Sequence, residues 1–382
     1  MKKSRSIFEE VGTTSAEPAP APPRAGRPTS ARGAIRVWLA ILFALLVVMI
    51  AVGGLTRLTD SGLSITEWRP VAGAMPPSGE AAWTAEFEKY RASPQYEALN
   101  HGMTLAEFKR IYWWEWGHRQ LGRAIGAVWA LGFLWFAVRR RIPPGWTPRL
   151  LGLGVLGGLQ GAIGWWMVAS GLEAGMIAVA SYRLAIHLGL AFAILGLIAW
   201  YVLRLGRPEA DLLQARRQRN ETLMAWGTAL VAVSFVQIVL GALVAGIDAG
   251  RAYTDWPLMG GEVVPSGAFA LVPGWTNFLE NPALVQFNHR IVAYVLLVLG
   301  LLAFLRSRRS ALGHVRGAFA AMMAMLALQL VLGVVTVLHG APLPVAIVHQ
   351  LGAVALFVLV LRARFAALYP MPERIARGRP AR

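Results

Sequence analysis

The sequence predicts an all-α polytopic membrane protein whose eight transmembrane helices form two pseudo-symmetric four-helix bundles. Of its 382 residues, 56% are hydrophobic and only 15% are charged, whereas soluble domains carry roughly 25% charged residues. Several apolar runs approach the roughly 20 residues that a helix needs to cross a bilayer. An internal repeat divides these runs into two sets of four. The lipid bilayer is therefore the expected environment of most of the chain.

Eight apolar segments are predicted to cross the membrane. The first follows a basic stretch, as in a signal peptide, but it is longer than a typical signal-peptide core and is predicted to be a retained helix. The segments are 35–55, 118–138, 150–170, 182–203, 222–247, 287–305, 317–338 and 344–361. The predicted layout is a disordered cytoplasmic tail (1–34), a first four-helix half (35–205), a cytoplasmic linker (206–221), a second four-helix half (222–365) and a cytoplasmic tail (366–382).

The basic residues predict the orientation of these helices. Three predicted loops on one side contain 4, 5 and 4 basic residues, at 139–149, 204–219 and 306–316. The two shortest loops on the other side contain none, at 171–181 and 340–343. With 7 basic residues up to Arg36 and 6 from Arg362 onward, 26 of the 37 lie on the first side. By the positive-inside rule, that side and both termini are cytoplasmic.

Charge and composition narrow the class of protein further. The net charge of +17 is explained by basic cytoplasmic loops, so no nucleic-acid partner is expected. The bias toward Ala, Arg, Gly and Pro favours a bacterial inner membrane, with a mitochondrial inner membrane as the alternative. The chain contains no cysteine, which excludes disulfides, iron–sulfur clusters and thiolate-ligated haem.

The two long loops predicted on the outer side, 56–117 and 248–286, match each other. Eight residues recur 188 positions later, namely Gly53, Leu55, Asp60, Gly62, Thr66, Trp68, Pro77 and Ser78. Each copy contains an even number of spans, so the copies have parallel topology and a pseudo-twofold axis along the membrane normal is expected. Three glutamines each precede a glycine by four residues, a spacing typical of helix packing, at Gln160, Gln237 and Gln329.

Four histidines are predicted to lie at similar depth near the outer face. Each falls within about two turns of the outer end of a predicted helix, and each half contains one pair, His118 with His187 and His289 with His349. Two histidines from two helices of a bundle can hold a planar haem, with one imidazole on each face of the iron. The alternatives are a helix-capping or hydrogen-bonded role for any single histidine and a copper site for the set. The recurrence in both halves favours haem.

Two arginines follow these histidines on the outer side, against the positive-inside bias. Arg119 and Arg290 would be stabilised there by haem propionates. Snorkelling to lipid phosphate is the alternative. Arg57 and Arg251 are weaker candidates for the same role.

Glu115 breaks the symmetry of the repeat. It lies three residues before His118, whereas Gln286 lies three residues before His289. A carboxylate near a haem iron can move protons, and an amide cannot titrate. The alternative is an acid at a helix N-terminus, favoured by the helix dipole. The asymmetry favours chemistry in the first half and a fixed electron-transfer haem in the second.

Over about residues 35–365 the sequence resembles haem A synthase, a membrane enzyme of cytochrome oxidase assembly. The motifs that carry the resemblance are Gly-Gly-Leu-Thr-Arg-Leu-Thr-Asp-Ser-Gly-Leu-Ser at 53–64, Glu115-x2-His118-Arg119-x2-Gly122-Arg123 and Phe287-Asn288-His289-Arg290. The resemblance implies two four-helix halves and an oxidoreductase that converts the C8 methyl group of haem O into the formyl group of haem A by successive hydroxylations. The absence of cysteine pairs from the outer loops resembles the proteobacterial and mitochondrial-like branch.

The resemblance also implies roles for the site residues and partners for the chain. His289 and His349 would be the iron ligands of a haem b. His118 and His187 would face the iron of the substrate haem O and, with Glu115, form the catalytic set. Haem O synthase, a protohaem farnesyltransferase, would be a partner beside an unidentified electron donor or acceptor, and a homo-oligomer stays open. The alternative functions are a di-haem b electron-transfer protein, which would not need Glu115, and a haem transporter or chaperone, which would exchange haem without oxidising it.

Overall fold

The computed structural model describes residues 31–371, and within them the chain forms α-helices and short 3-10 turns but no β-strand. The α-helices are α1 (Ala31–Leu58), α2 (Gly79–Arg91), α3 (Pro94–Leu99), α4 (Leu105–Val138), α5 (Thr147–Gly171), α6 (Ser181–Leu205), α7 (Glu209–Arg217), α8 (Glu221–Gly246), α9 (Asn277–Glu280), α10 (Pro282–Ser307), α11 (Gly313–Leu338) and α12 (Leu343–Leu368). Eight of them are long and apolar enough to cross a membrane, namely α1, α4, α5, α6, α8, α10, α11 and α12. The predicted all-α polytopic membrane fold with eight spans is confirmed.

The structure extends the first and last predicted helices. α1 already begins at Ala31, inside the predicted tail 1–34, and α12 continues to Leu368, inside the predicted tail 366–382. Most of the remainder of both predicted tails, at 1–30 and 372–382, lies outside the described residues.

The largest difference from the predicted boundaries concerns α4, which begins at Leu105 and not at 118. Thr104 and Glu107 form a capping box in which the Thr104 hydroxyl accepts from the Glu107 N–H at 3.3 Å and the Glu107 carboxylate accepts from the Thr104 N–H at 2.9 Å. These bonds satisfy N–H groups that a helix start leaves free. Glu115 therefore lies in the third turn of α4, at 3.6 residues per turn. The alternative role of a helix N-terminal acid is wrong for Glu115.

The first three turns of α4 pack against the outer loop of the first half. One cluster of aromatic side chains is buried there, formed by Trp83, Phe87, Tyr90, Tyr96, Phe108 and Tyr112. Phe108 stacks on Phe87 with ring centroids 4.9 Å apart. Such aromatic pairs contribute about 0.5–1.5 kcal/mol beyond their area burial. The hydropathy pattern missed these turns because Glu107, Lys109 and Arg110 interrupt the apolar run there.

The same helix pairs pack in both halves. In the first half, α1 packs against α4 and α6, and α5 packs against α6; in the second, α8 packs against α10 and α12, and α11 packs against α12. The halves meet where α6 contacts α8 and where α12 contacts α1 and α6. This repetition agrees with two four-helix units, and the orientation of their symmetry axis stays a prediction.

Two polar contacts join the halves near the outer side. The Gln350 amide on α12 donates to the Ile50 carbonyl of α1 at 2.7 Å. The Arg57 guanidinium at the end of α1 contacts Asp248 of the second half at 2.6 Å and Asp60 of its own half at 2.9 Å. Asp60 and Asp248 are repeat equivalents and share a left-handed backbone, with φ of 51° and 52°. The repeat therefore extends to local backbone conformation.

Candidate functional site

The four predicted histidines lie one each on α4, α6, α10 and α12. The helices of His118 and His187 belong to the first four-helix half, and those of His289 and His349 belong to the second. Each half therefore contains the two histidines that the sequence paired.

The predicted position near a helix end is correct for three histidines and wrong for His118. His187, His289 and His349 lie in the second turn of their helices, whereas His118 lies in the fourth turn of α4. The reason is the outer extension of α4. Exposed tryptophans at 113 and 114 lie one turn before His118, and tryptophan is enriched at membrane interfaces. His118 is thus still close to the N-terminal end of the apolar part of α4.

Each histidine ring lies against a glycine of the neighbouring helix. A Cβ placed on that glycine would lie 2.9–3.2 Å from a ring atom in the pairs Gly53–His118, Gly164–His187, Gly241–His289 and Gly333–His349. Contacts this short leave little room for any side chain. Glycine at these four places therefore lets the imidazoles enter between the helices.

The three glutamines of the Gln-x3-Gly segments hold three of these histidines. The side-chain amide donates to the backbone carbonyl of the histidine at 3.0 Å for Gln160 and His187, 3.0 Å for Gln237 and His289, and 2.9 Å for Gln329 and His349. The amide nitrogens of Gln160 and Gln237 also lie 3.1–3.3 Å from the ring nitrogens of their histidines. The prediction that these glutamines bond across helices is confirmed, and their partners are the site histidines.

Glu115 is buried, with 3% of its surface exposed, and both of its carboxylate oxygens are engaged. One oxygen accepts from the Ser64 hydroxyl and from the Ile65 N–H, both at 2.8 Å. The other oxygen pairs with Arg119 at 2.6 Å. Arg119 in turn donates to the carbonyls of Ile65 at 2.9 Å and Glu67 at 3.2 Å. Glu115 and Arg119 thus fasten the outer loop to α4, one turn outside His118.

In the second half an amide, Gln286, takes the place of the Glu115 carboxylate, and Arg290 takes the place of Arg119. The Gln286 amide donates to the carbonyl of Tyr253 at 3.0 Å, and Arg290 donates to the same carbonyl at 3.2 Å. Arg290 also donates to the carbonyl of Leu258 at 2.9 Å and to the Gln286 side chain at 3.3 Å. Tyr253 lies 188 residues after Ile65, so both halves fasten the same point of the outer loop.

The four predicted arginines all have protein partners. Arg119 and Arg290 hold loop carbonyls, and Arg57 binds Asp60 and Asp248. Arg251 has only a long contact of 3.9 Å to Asp248, and its side chain is 55% exposed. A role for these arginines with haem propionates stays a prediction.

The paired imidazoles fit the requirements of haem ligation. The His118 ring has no hydrogen-bond partner among residues 31–371, and His349 Nδ1 is buried without one, so imidazole lone pairs are available in both halves. In the same part of the chain, no group of three or more His, Asp or Glu side chains comes together as a metal site. Pairs on facing helices suit a bis-imidazole haem better than the copper alternative.

The sequence reasoning missed the partners of Glu115 and the histidine contacts of the glutamines. Ser64 and Ile65 precede Glu115 by about fifty residues, and no local pattern joins them. The glutamine contacts had a signal in the Gln-x3-Gly spacing, because glycine marks a close approach between helices. At the fourth glycine, Gly53, the residue four positions earlier is Met49, which no glutamine pattern marks in the sequence.

Comparisons with known proteins identify the family of the chain. A sequence profile of the family described as "Cytochrome oxidase assembly protein" matches residues 36–361. The chain is 63% identical to a protein named heme A synthase from Dinoroseobacter shibae, with 97% of this chain and 98% of the relative covered. It is 61% identical to one from Ruegeria sp., covering 97% and 99%, and 60% identical to one from Paracoccus denitrificans, covering 98% of each. The chain therefore belongs to the haem A synthase family of cytochrome oxidase assembly proteins.

Proposed function

We propose that this protein is a membrane oxidoreductase that converts the C8 methyl group of haem O into the formyl group of haem A for cytochrome c oxidase. One observation carries the proposal: a chain about 60% identical to proteins named heme A synthase over nearly its full length has two histidines in each four-helix half, each with its ring packed against a glycine of the neighbouring helix. The oxidation proceeds by successive hydroxylations of the methyl group.

The second half is the proposed site of a resident haem b. His289 and His349 are the residues that would hold it, and Gln237 and Gln329 fix the helix turns that carry them. A haem b held there would supply one-electron transfer. The polypeptide contributes the spacing of the two helices and the orientation of both rings.

The first half is the proposed site of the substrate. His118 and His187 face the iron of haem O, and Gly164 gives the His187 ring its place between helices. Conversion of a methyl to a formyl group removes hydrogen, adds one oxygen and is a four-electron oxidation. An external oxidant must therefore take up the electrons, and protons must leave the site. Glu115 is the proposed proton acceptor because it is the buried carboxylate nearest in sequence to His118. Ser64 and the Arg119 guanidinium fix its position.

The arginines are proposed both to hold the outer loops and to bind haem propionates. Arg119 and Arg290 hold the outer loops, and their remaining N–H donors, with those of Arg57 and Arg251, are available to haem propionates. An arginine that orients a carboxylate in this way stabilises it by charge-assisted hydrogen bonds.

The proposed partners follow from the reaction. A haem O synthase supplies the substrate, and a membrane electron partner takes part in the oxidation. A homo-oligomer is compatible with the eight-span unit. We place the chain in a bacterial inner membrane with both termini cytoplasmic, which the arginine distribution and the bacterial relatives support. A mitochondrial inner membrane is the alternative.

Co-expression with a haem O synthase tests the activity. Chromatography of the extracted haems is expected to show haem A only when both proteins are present. Haem b and haem O without any oxidised product would indicate a di-haem electron carrier. Transfer of haem to an acceptor protein without oxidation would indicate a transporter or chaperone.

Reporter fusions test the orientation. Fusions at residues 90, 145, 210, 270 and 310 are expected to report outside, inside, inside, outside and inside, because these residues follow the first, second, fourth, fifth and sixth spans of the fold. Alkaline phosphatase and a fluorescent protein give opposite signals on the two sides. An outside signal at 210 would overturn the orientation.

A further inference from the structure

Three of the four histidine sites have a glutamine at the same position, and the fourth has a methionine. This position lies four residues before the glycine that contacts the histidine. It is Gln160 at His187, Gln237 at His289, Gln329 at His349 and Met49 at His118. Met49 and Gln237 are repeat equivalents, 188 residues apart. Three sites thus present an amide donor to the histidine, and the site of His118 presents a thioether.

The three amides restrain the histidines directly. Each donates to the backbone carbonyl of its histidine at 2.9–3.0 Å, across from one helix to the next. A side-chain amide bond of this kind joins the histidine-bearing turn to the neighbouring helix. The ring-nitrogen contacts of Gln160 and Gln237, at 3.1–3.3 Å, restrain the ring orientation as well.

His118 has neither restraint. A thioether has no hydrogen to donate, and the His118 side chain has no hydrogen-bond partner among residues 31–371. Its ring also has a different orientation. At the other three sites Cε1 is the ring atom that would lie nearest to a Cβ on the glycine, whereas at Gly53 it is Nε2, at 3.2 Å. The Nε2 edge of the His118 ring therefore faces α1, whereas the other three rings present Cε1 to the neighbouring helix.

We propose that Met49 makes His118 the releasable ligand of the four, so that haem can leave the first half while the second half retains its own. This inference rests on the proposed function, because a product-forming site must release its haem and an electron-transfer site must not. Met49 is a positioning residue in this account: it acts through the freedom of the His118 ring and does not itself touch the reacting methyl group.

The test compares haem release from purified full-length variants reconstituted with iron protoporphyrin IX. Apomyoglobin in excess captures released haem, and absorption spectra follow its transfer. In Met49→Gln, release from the first half is expected to slow by about three- to tenfold, the range that one neutral hydrogen bond supports. Met49→Leu, which keeps the size without a donor, is the matched control and is expected to release haem at the rate of the unaltered protein.

The reciprocal variant uses the equivalent position of the other half. Gln237→Met is expected to speed haem release from the second half by a similar factor. If Met49→Gln does not fold, this variant alone tests whether the side chain at this position controls haem release. Equal rates in all variants, or equal slowing in Met49→Gln and Met49→Leu, would refute the role of Met49. Haem A formation by the unaltered protein is measured separately, so a failure of the proposed function is distinguishable from a failure of this inference.

Discussion

Replacing Glu115 by glutamine is expected to lower haem A formation by about 10²–10⁴, the usual contribution of a general acid or base. Haem O or a hydroxylated intermediate should accumulate. The expected cause is the loss of a titratable group one turn from His118, in a site where Ser64, Ile65 and Arg119 fix the carboxylate. Chromatography of extracted haems at matched expression measures the effect.

The fold should tolerate this substitution. Gln286 already occupies the equivalent position of the second half, where it pairs with Arg290 and the Tyr253 carbonyl. In Glu115→Gln, Arg119 would retain the carbonyls of Ile65 and Glu67 as acceptors. The haem of the second half is therefore expected to keep its spectrum, which serves as the internal control for folding.

Ser64→Ala separates proton transfer from loop positioning. It removes one hydrogen bond to Glu115 but keeps the carboxylate, the Ile65 N–H contact and the Arg119 pair. Loss of one hydrogen bond typically costs about 0.5–1.5 kcal/mol, so haem A formation should fall much less than in Glu115→Gln. Equal loss in the two variants would assign Glu115 to fastening the outer loop, and unchanged haem A in Glu115→Gln would end its catalytic role.

The apolar spans could be predicted from the sequence, but the first turns of α4 and the contacts of Glu115 could not. Hydropathy located the apolar portion of α4 because lipid-facing residues must be apolar, yet it missed 105–117, where an aromatic face is buried under α2 and α3. The capping box of Thr104 and Glu107 was visible in the sequence as a helix start. The contacts of Glu115 were not, because Ser64 and Ile65 approach it only through the path of the outer loop.

For the histidines, the pairing could be predicted from the sequence, but the residues that contact them could not. Their recurrence in the repeat predicted two pairs, and the structure places His118 with His187 in the first four-helix half and His289 with His349 in the second. The spacing of glutamine and glycine indicated close helix contacts without showing which residue is contacted, since that depends on the rotation of each helix about its axis. The methionine at position 49 could be recognised as different from the three glutamines only once the structure showed that its neighbour Gly53 contacts His118.

Replacing His289 or His349 by alanine is expected to abolish or strongly perturb the low-spin haem spectrum of the second half. Each substitution removes one of the two proposed axial ligands and leaves a gap beside Gly241 or Gly333, where the ring now packs. Absorption spectroscopy and haem-to-protein ratios measure the loss. His339→Ala is the matched control, since the side chain of that exposed histidine at the end of α11 bonds to the Val335 carbonyl of its own helix.

Added imidazole distinguishes a lost ligand from a damaged fold. If His289 and His349 ligate the iron, free imidazole can enter the gap left by alanine and restore the low-spin spectrum of a folded variant. A variant that has merely lost its packing has no such vacant ligand position and should not respond. Full haem content and an unchanged spectrum in both alanine variants would exclude this pair as haem ligands and, with it, the assignment of the resident haem to the second half.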